Sequence, residues 1–296
     1  MSNPASNPAR TALTVVVTGA TGTQGGAAVD ALLLAGHRVI GLTRDPSSTS
    51  ALALASRGVD VRRADLTDPD TLEAALTGAN SLFAVTTPFE TDTDTEVLQG
   101  RNLIEAASAA RVEHLVYTSA ANADRSTGIP HFESKRRVEL LLEASDLDWT
   151  VIGPAKFMDD YQMSWTVDML QTGKVGLPMP PNALLPHIPA ADIGAFAALA
   201  IGRRAEFSGR RIDIASDSLT GKEVAEVLAE RCGGPVEYVE FPIEQARLWS
   251  SDLAAMFDYF AQTGLDIDTE ELRRRYPEVG WHSFGDWTGT RSWPSL

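Results

Sequence analysis

Residues 15–26, VVVTGATGTQGG, constrain this chain more than any other stretch. Three β-branched residues run into a turn in which Gly19, Gly22 and Gly25 are spaced G-x-x-G-x-x-G, and Ala27–Leu34 then reads as a helix. A chain leaving a strand here must turn tightly, admit a diphosphate close to its backbone and pack the next helix near a sheet. A Cβ obstructs each task, and the free N–H groups at a helix start suit an anion. A bare glycine triplet is weak evidence; this one sits between a strand and a helix, as a dinucleotide site requires. Thr21, Thr23 and Gln24 fall inside the same turn and join the three glycines as candidate cofactor contacts. The other reading of the stretch is a purely structural glycine turn.

At 296 residues the chain has room for one large domain or two intimately joined ones. A 44% hydrophobic share with 22% charged residues is that of an ordinary globular protein. No apolar run approaches the roughly 18 residues of a membrane span, and residues 1–10, MSNPASNPAR, read as a disordered tail without the apolar stretch of a secretory signal. Cys232 is the single cysteine, so no intrachain disulfide can form; this favours a cytoplasmic setting and a buried structural thiol. The formal charge of −15 argues against nucleic-acid binding. Against that acidic background Arg44 and Lys135 stand out as charges that a phosphorylated cofactor needs.

In chain order, Arg38 lies in a second strand, His37–Thr43, and Arg44 follows at its end. An acid at this place, roughly 20 residues past the glycine turn, would hold a ribose 2′-OH, whereas an arginine suits a 2′-phosphate, so NADP is favoured over NAD. Ser47 and Ser48 are candidate hydroxyl donors to the same phosphate. Helix 49–57 and strand 59–63 lead to Asp65 and Leu66, placed beside an adenine or, alternatively, in an ordinary strand-end turn. Asp68 with Pro69 reads as a helix start. Strand 80–85 delivers Thr86, Thr87, Pro88 and Phe89 where the middle of the cofactor and its nicotinamide would pass. The acidic run 90–96 opens a helix to residue 110, its carboxylates suiting the positive end of the helix. Strands 114–118 and 149–152 flank an amphipathic helix, HFESKRRVELLLEAS, and Ser119 ends the first of them. Six strands alternating with helices predict a mostly parallel sheet covered on both faces. Beyond Pro154 the rhythm breaks; Asp192 reads as the cap of helix 193–201, 211–214 as a returning strand, and Thr220 with Glu223 as a capping box.

The segments VTGATGTQGG, LTRDP, ADLTD, HFESK, PAKFMDDY, AADIG and RLWSSDLAAMFDYF together resemble the NmrA-like family of atypical short-chain dehydrogenase/reductases, across nearly the whole chain. The likeness is strongest to NADP-binding, redox-sensor-like members with an HFxxK segment on the catalytic helix. Relatives in that group use Ser, Tyr and Lys for hydride chemistry. Here Ser119 and Lys135 match and His131 takes the tyrosine place, four residues before Lys135 and on the same helix face. The resemblance implies that Lys135 bonds the nicotinamide ribose and that Ser119, His131 or water serves the acceptor; lysine alone is the acid–base in some related reductases. His131 has a second reading as a pocket-wall residue.

Phe157, Met158 and Tyr161 are candidates for the nicotinamide and substrate wall, with ordinary core as the alternative, and His187 joins them as either a cleft or a structural residue. The expected architecture is α/β: a doubly wound Rossmann domain from residues 11–153 plus 187–216, and a smaller C-terminal substrate lobe from 154–186 plus 217–296. The expected function is an NADP(H)-dependent oxidoreductase acting on a small carbonyl, quinone or enone. The alternative is a non-catalytic NADP(H)/NADP+ sensor acting on a regulatory protein partner. A non-redox enzyme that keeps the fold is a third.

Overall fold

The computed structural model describes residues 12–296, and the tail expected over residues 1–10 lies outside them. The first half alternates β1 (Thr14–Val17), α1 (Thr23–Leu34), β2 (Arg38–Thr43), α2 (Thr49–Ser56), β3 (Asp60–Arg63), α3 (Pro69–Leu76), β4 (Ser81–Val85), α4 (Thr93–Ala109), β5 (His114–Thr118), α5 (Pro130–Glu143) and β6 (Asp148–Pro154). The chain continues through β7 (Lys156–Phe157), a 3₁₀ turn at Met158–Gln162, α6 (Ser164–Leu170), β8 (Lys174–Leu177), β9 (Leu184–Ile188), α7 (Ala190–Gly202), α8 (Arg204–Phe207) and β10 (Arg210–Ile214). It ends in β11 (Asp217–Thr220), α9 (Gly221–Cys232), β12 (Glu237–Glu240), α10 (Ile243–Trp249), α11 (Ser251–Gln262), α12 (Thr269–Arg275) and α13 (Phe284–Gly289).

Seven strands form one sheet in the order β10-β6-β5-β4-β1-β2-β3, every neighbouring pair parallel. The winding reverses between β1 and β4, so a crevice opens there at the carboxyl ends of the strands. Strand β1 shows why its sequence is uniformly apolar. Val15 and Val17 enter the core on one face, with α1, α7 and Phe83, while Val16 enters the core on the other, with α3, α4 and Leu82. Helix α7 lies against α1 so closely that a Cβ on Gly194 would overlap the Ala27 carbonyl, which explains the glycine in AADIG.

Several expected boundaries change. Helix α1 begins at Thr23 and not Ala27, so Gln24 and Gly25 belong to its first turn; glycine's poor helix propensity hides that start in sequence. Asp192 is not the cap of α7, which starts after Pro189. Its buried carboxylate instead accepts from Ser216 Oγ (2.6 Å) and the His282 N–H (2.8 Å). The capping box at Thr220 and Glu223 is present, and Cys232 is buried.

The C-terminal lobe is divided in a way that no local pattern announces. Strands β11, β9 and β7 form a three-stranded sheet and β12 pairs with β8. Val175 of β8 lies in a separate core with Met158, Tyr161, Leu228, Phe284 and Trp287, against which Leu219 of β11 and Tyr238 of β12 pack, whereas Leu185 and Ile188 of β9 lie in the core shared with α1 and α7. Phe260, Leu272, Tyr276 and Trp281, from the segment expected to form the lobe, belong to the same core as α7, Tyr276 and Trp281 through ring contacts with Phe196.

Candidate active site

The crevice at the strand ends is a cleft of about 1340 Å³ lined from both lobes. At one end is the glycine turn. Gly19 adopts φ +58° and accepts from the Gly22 N–H at 2.8 Å, and a Cβ on Gly25 would overlap that same Gly19 carbonyl. Helix α1 opens without a side-chain cap and without an acid in its first turn, so its leading N–H groups are left for an anion. Thr21, Gly22 and Thr23 are exposed on the cleft wall, and Gln24 is tied to the sheet by accepting from Thr118 Oγ1 at 2.7 Å.

Arg44 lies at the mouth, 71% exposed, and pairs with Glu90 at 2.9 Å. Asp45 does not point a free carboxylate at a ribose: it accepts from the Ser47 N–H (2.9 Å) and Ser47 Oγ (2.6 Å), which hold it below the usual carboxylate range. Ser48 Oγ caps α2 by accepting from the Ala51 N–H. The two serine hydroxyls expected on a phosphate are thus used in the local turn, because Asp-x-Ser segments satisfy their own backbone first. Asp65 and Leu66 both line the cleft. One Asp65 oxygen accepts from Thr67 N–H and Oγ1, bonds that keep this carboxylate ionised, with the charges of Arg44 and Arg63 adding to the effect.

At the other end, helix α5 carries His131 and Lys135 on one face, and both line the cleft. Lys135 Nζ donates to Glu96 Oε1 at 2.9 Å and to the Thr86 carbonyl at 3.2 Å. Glu96 is fully buried and also accepts from Thr86 Oγ1 (3.0 Å) and Ser134 Oγ. Tyr117 completes this network through Thr86 Oγ1, and burial beside Glu96 pushes its hydroxyl well above the normal tyrosine range. Thr86 therefore positions Lys135 by its carbonyl and Glu96 by its hydroxyl. Among the described residues no tyrosine lines the cleft, so the histidine in HFESK is a real change of chemistry at this site.

Ser119 lines the cleft, but its hydroxyl donates to the buried carboxylate of Glu139, one helical turn beyond Lys135. Arg136 and Arg211 bind the other Glu139 oxygen. The expected polarising hydroxyl is consequently spent inside the protein. Thr87, Pro88, Phe89 and Phe157 stand on the cleft wall as expected. Met158, Tyr161 and His187 do not. The 3₁₀ turn after β7 carries Met158 and Tyr161 into the lobe core, where Tyr161 Oη and His187 Nε2 lie 3.1 Å apart. Burial pushes His187 down to about 3 and the Tyr161 hydroxyl up.

Sequence reasoning also passed over residues that the fold brings in. Lys156 lines the cleft with Nζ 2.9 Å from Asp160 Oδ2, and Asp159, its carboxyl raised by burial, accepts from the Ala190 N–H at 2.8 Å. A strap made of α10 and α11 adds Trp249, Leu253, Met256 and Phe257 as an apolar wall. Its helical spacing in RLWSSDLAAMFDYF was the available signal.

The family model for NmrA-like proteins matches residues 11–286. The chain belongs to the NmrA-like family. The chain is similar to the NAD(P)H azoreductase of Xenophilus azovorans, at 30% identity over 233 residues and 79% of each chain. Its structure is similar to that of an NADPH-dependent quinone oxidoreductase from Escherichia coli complexed with NADPH, at 26% identity and TM-score 0.78, covering 93% of this chain and 99% of the other. NmrA itself, a negative transcriptional regulator, in complex with NADP, shares the fold at TM-score 0.78 and 20% identity, over 94% of each chain. Like the expected sheet, this NmrA-like fold is Rossmann-type α/β. Among the described residues no helix is long and apolar enough to cross a membrane.

Proposed function

We propose that the chain is an NADP(H)-dependent oxidoreductase whose acceptor is a carbonyl-type molecule, a quinone before a simple aldehyde. The observation that carries this reading is one continuous cleft joining a glycine-lined anion seat to a helix bearing Lys135 and His131. The residues present fit the cofactor. A Cβ would close the turn at Gly25, α1 offers uncapped N–H groups, and Arg44 at the end of β2 supplies a guanidinium where a 2′-phosphate would lie. Glycines 19, 22 and 25 with Thr21, Thr23 and Gln24 would hold the diphosphate, Asp65 and Leu66 would flank the adenine, and Thr87, Pro88, Lys135 and Phe157 would border the nicotinamide end. Bound there, NADPH supplies a hydride.

The chain's own residues do the rest. Lys135 is fixed in place by Glu96 and the Thr86 carbonyl and presents its charge to the nicotinamide end. His131 lines the cleft with Nε2 unpartnered among the described residues, and this nitrogen would hand a proton to an acceptor oxygen. Phe89, Trp249 and Phe257 supply apolar faces that suit a flat ring. The azoreductase and quinone oxidoreductase relatives support an aromatic acceptor.

A second reading is a nucleotide sensor that binds NADP(H) and acts on a protein partner. It is favoured by the absence of a cleft tyrosine and by Ser119 being engaged with Glu139. The test is NADPH oxidation, followed by loss of near-ultraviolet absorbance, across a panel of quinones, azo compounds and aldehydes, for the wild type and Lys135→Ala. Turnover by the wild type that the variant loses supports the reductase; tight NADPH binding without turnover on any acceptor replaces it with the sensor.

A further inference from the structure

The proton donor in this cleft is held by a residue from far along the chain. His131 sits in the first turn of α5, buried, with its ring 5.3 Å from Phe89 and edge-on to Phe132 at 4.8 Å. Its Nδ1 pairs with Asp252 Oδ1, across 121 residues of sequence. Nε2 has no partner among the described residues, while the residue lines the cleft. Asp252 belongs to the first turn of α11, which Ser250 caps by accepting from the Leu253 N–H at 3.2 Å. On either side of it in sequence, Trp249 and Leu253 face the cleft, and Asp252 itself does not line it. One carboxylate therefore joins the apolar strap to the catalytic helix and takes up only one of the two ring nitrogens.

We propose that Asp252 is a positioning residue for His131: it keeps a proton on Nδ1 and so turns Nε2 toward the acceptor, in register with the strap that walls the acceptor in. The proposal rests on the reductase reading. A carboxylate on one imidazole nitrogen selects the tautomer and ring orientation and leaves the other nitrogen for chemistry. When bound, the reduced nicotinamide would supply a hydride, and the electron pair displaced from the acceptor's π bond would come to rest on an acceptor oxygen. That oxygen would take a proton from His131 Nε2, and the N–H electron pair would stay on the ring. His131 would be left as the Nδ1–H form, bonded to Asp252, and a proton from bulk solvent would restore Nε2–H through the open mouth of the cleft. Hydride plus one proton would turn a carbonyl into an alcohol and a quinone into its hydroquinone, consuming only the reduced cofactor and one solvent proton.

The first experiment reads the tautomer directly, from two-bond proton–nitrogen spectra of protein labelled with ¹⁵N-histidine, using His131→Asn to assign the signal. Nδ1–H as the neutral form in the wild type, lost in Asp252→Asn, is the expected result. A neutral Nε2–H form in the wild type, or a spectrum unchanged by Asp252→Asn, overturns the proposal. In turnover with a quinone, Asp252→Asn should lower kcat at least about tenfold while KM stays within about threefold. The same change in a His131→Asn background should add almost nothing, since the two residues act as one unit. A raised KM with kcat intact would make Asp252 a tether of the wall only, and the proposal would fall. NADPH affinity, measured by calorimetry, should be equal in all variants. Wild-type protein that binds NADPH but reduces no acceptor removes the reductase reading and the catalytic use of His131, whereas the tautomer spectrum separately decides whether Asp252 orients the ring.

Discussion

At the nucleotide end of the cleft the carboxylates and hydroxyls of the strand-end turns are bonded to neighbours two or three residues away: Asp45 to Ser47, Asp65 to Thr67, Ser48 to the Ala51 N–H. At the acceptor end the partners are 31 residues apart for Thr86 and Tyr117, 39 for Lys135 and Glu96, and 121 for His131 and Asp252. The first set is largely exposed and arises from turn chemistry that each segment satisfies alone. The second is buried, so its charges and hydroxyls are tolerated only because the packed fold supplies every partner. A phosphate seat can be made from a local backbone shape. A site that must hold a proton and a lysine in one geometry draws on the whole tertiary structure.

The largest test of this contrast is Lys135→Met. It leaves Glu96 as a buried carboxylate without its cation and should cost about 3–5 kcal/mol of stability in urea unfolding. Adding Glu96→Leu should restore most of that loss, because the uncompensated charge disappears. A single variant as stable as the wild type would mean the acceptor end is not held by this pair.

Acid sensitivity should separate the exposed carboxylates from the buried rings behind the strands. Burial pushes His114 down to about 4 and His187 to about 3, from 6.5. Their folded values lie below the unfolded one, so the unfolded chain takes up protons first. The stability these rings contribute is whole above about pH 6.5 and is lost as pH falls from there toward 4 and then 3, at up to about 1.4 kcal/mol per pH unit for each ring. Asp45 and Asp65, whose folded values are lowered from 3.8, add to the slope only at the acid end of that window, where the unfolded carboxylates begin to take up protons. Thermal midpoints measured from pH 7 to 4 should fall less steeply in His187→Gln; an identical slope would place the titration elsewhere.

The smallest expected effect is at the nucleotide end. Arg44→Ala should weaken NADPH binding by about 1–3 kcal/mol, the worth of a charged hydrogen bond, and leave NADH binding and stability almost untouched. Equal weakening for both nucleotides, by calorimetry, would remove Arg44 from the 2′-phosphate.

The nucleotide end is also the end that could be read from the chain. VVVTGATGTQGG announces strand, turn and helix in one stretch, and residues 42–46 and 64–68 mark the next two strand ends. Even so, the roles of Ser47 and Ser48 came out differently, since a hydroxyl that is near a phosphate site in sequence can be used up by its own turn. At the acceptor end, HFESK located the helix and PAKFMDDY located the wall, but only Phe157 of the three wall candidates there reaches the cleft. A two-residue strand and a 3₁₀ turn have no period that reveals which side chain faces inward.

What the amino-acid order determined unaided was the set of elements whose cause is local: β-branched runs buried on both faces, glycines where a Cβ has no room, caps, and two side chains four apart on one helix. What folding alone decided was who meets whom. Glu96 reaches Lys135, Glu139 takes the Ser119 hydroxyl, α11 joins the Rossmann core, and Asp252 reaches His131. Those contacts join segments 20 to 121 residues apart. Each follows from how separate elements pack on the sheet, and the residues near either partner in the chain carry no trace of that packing.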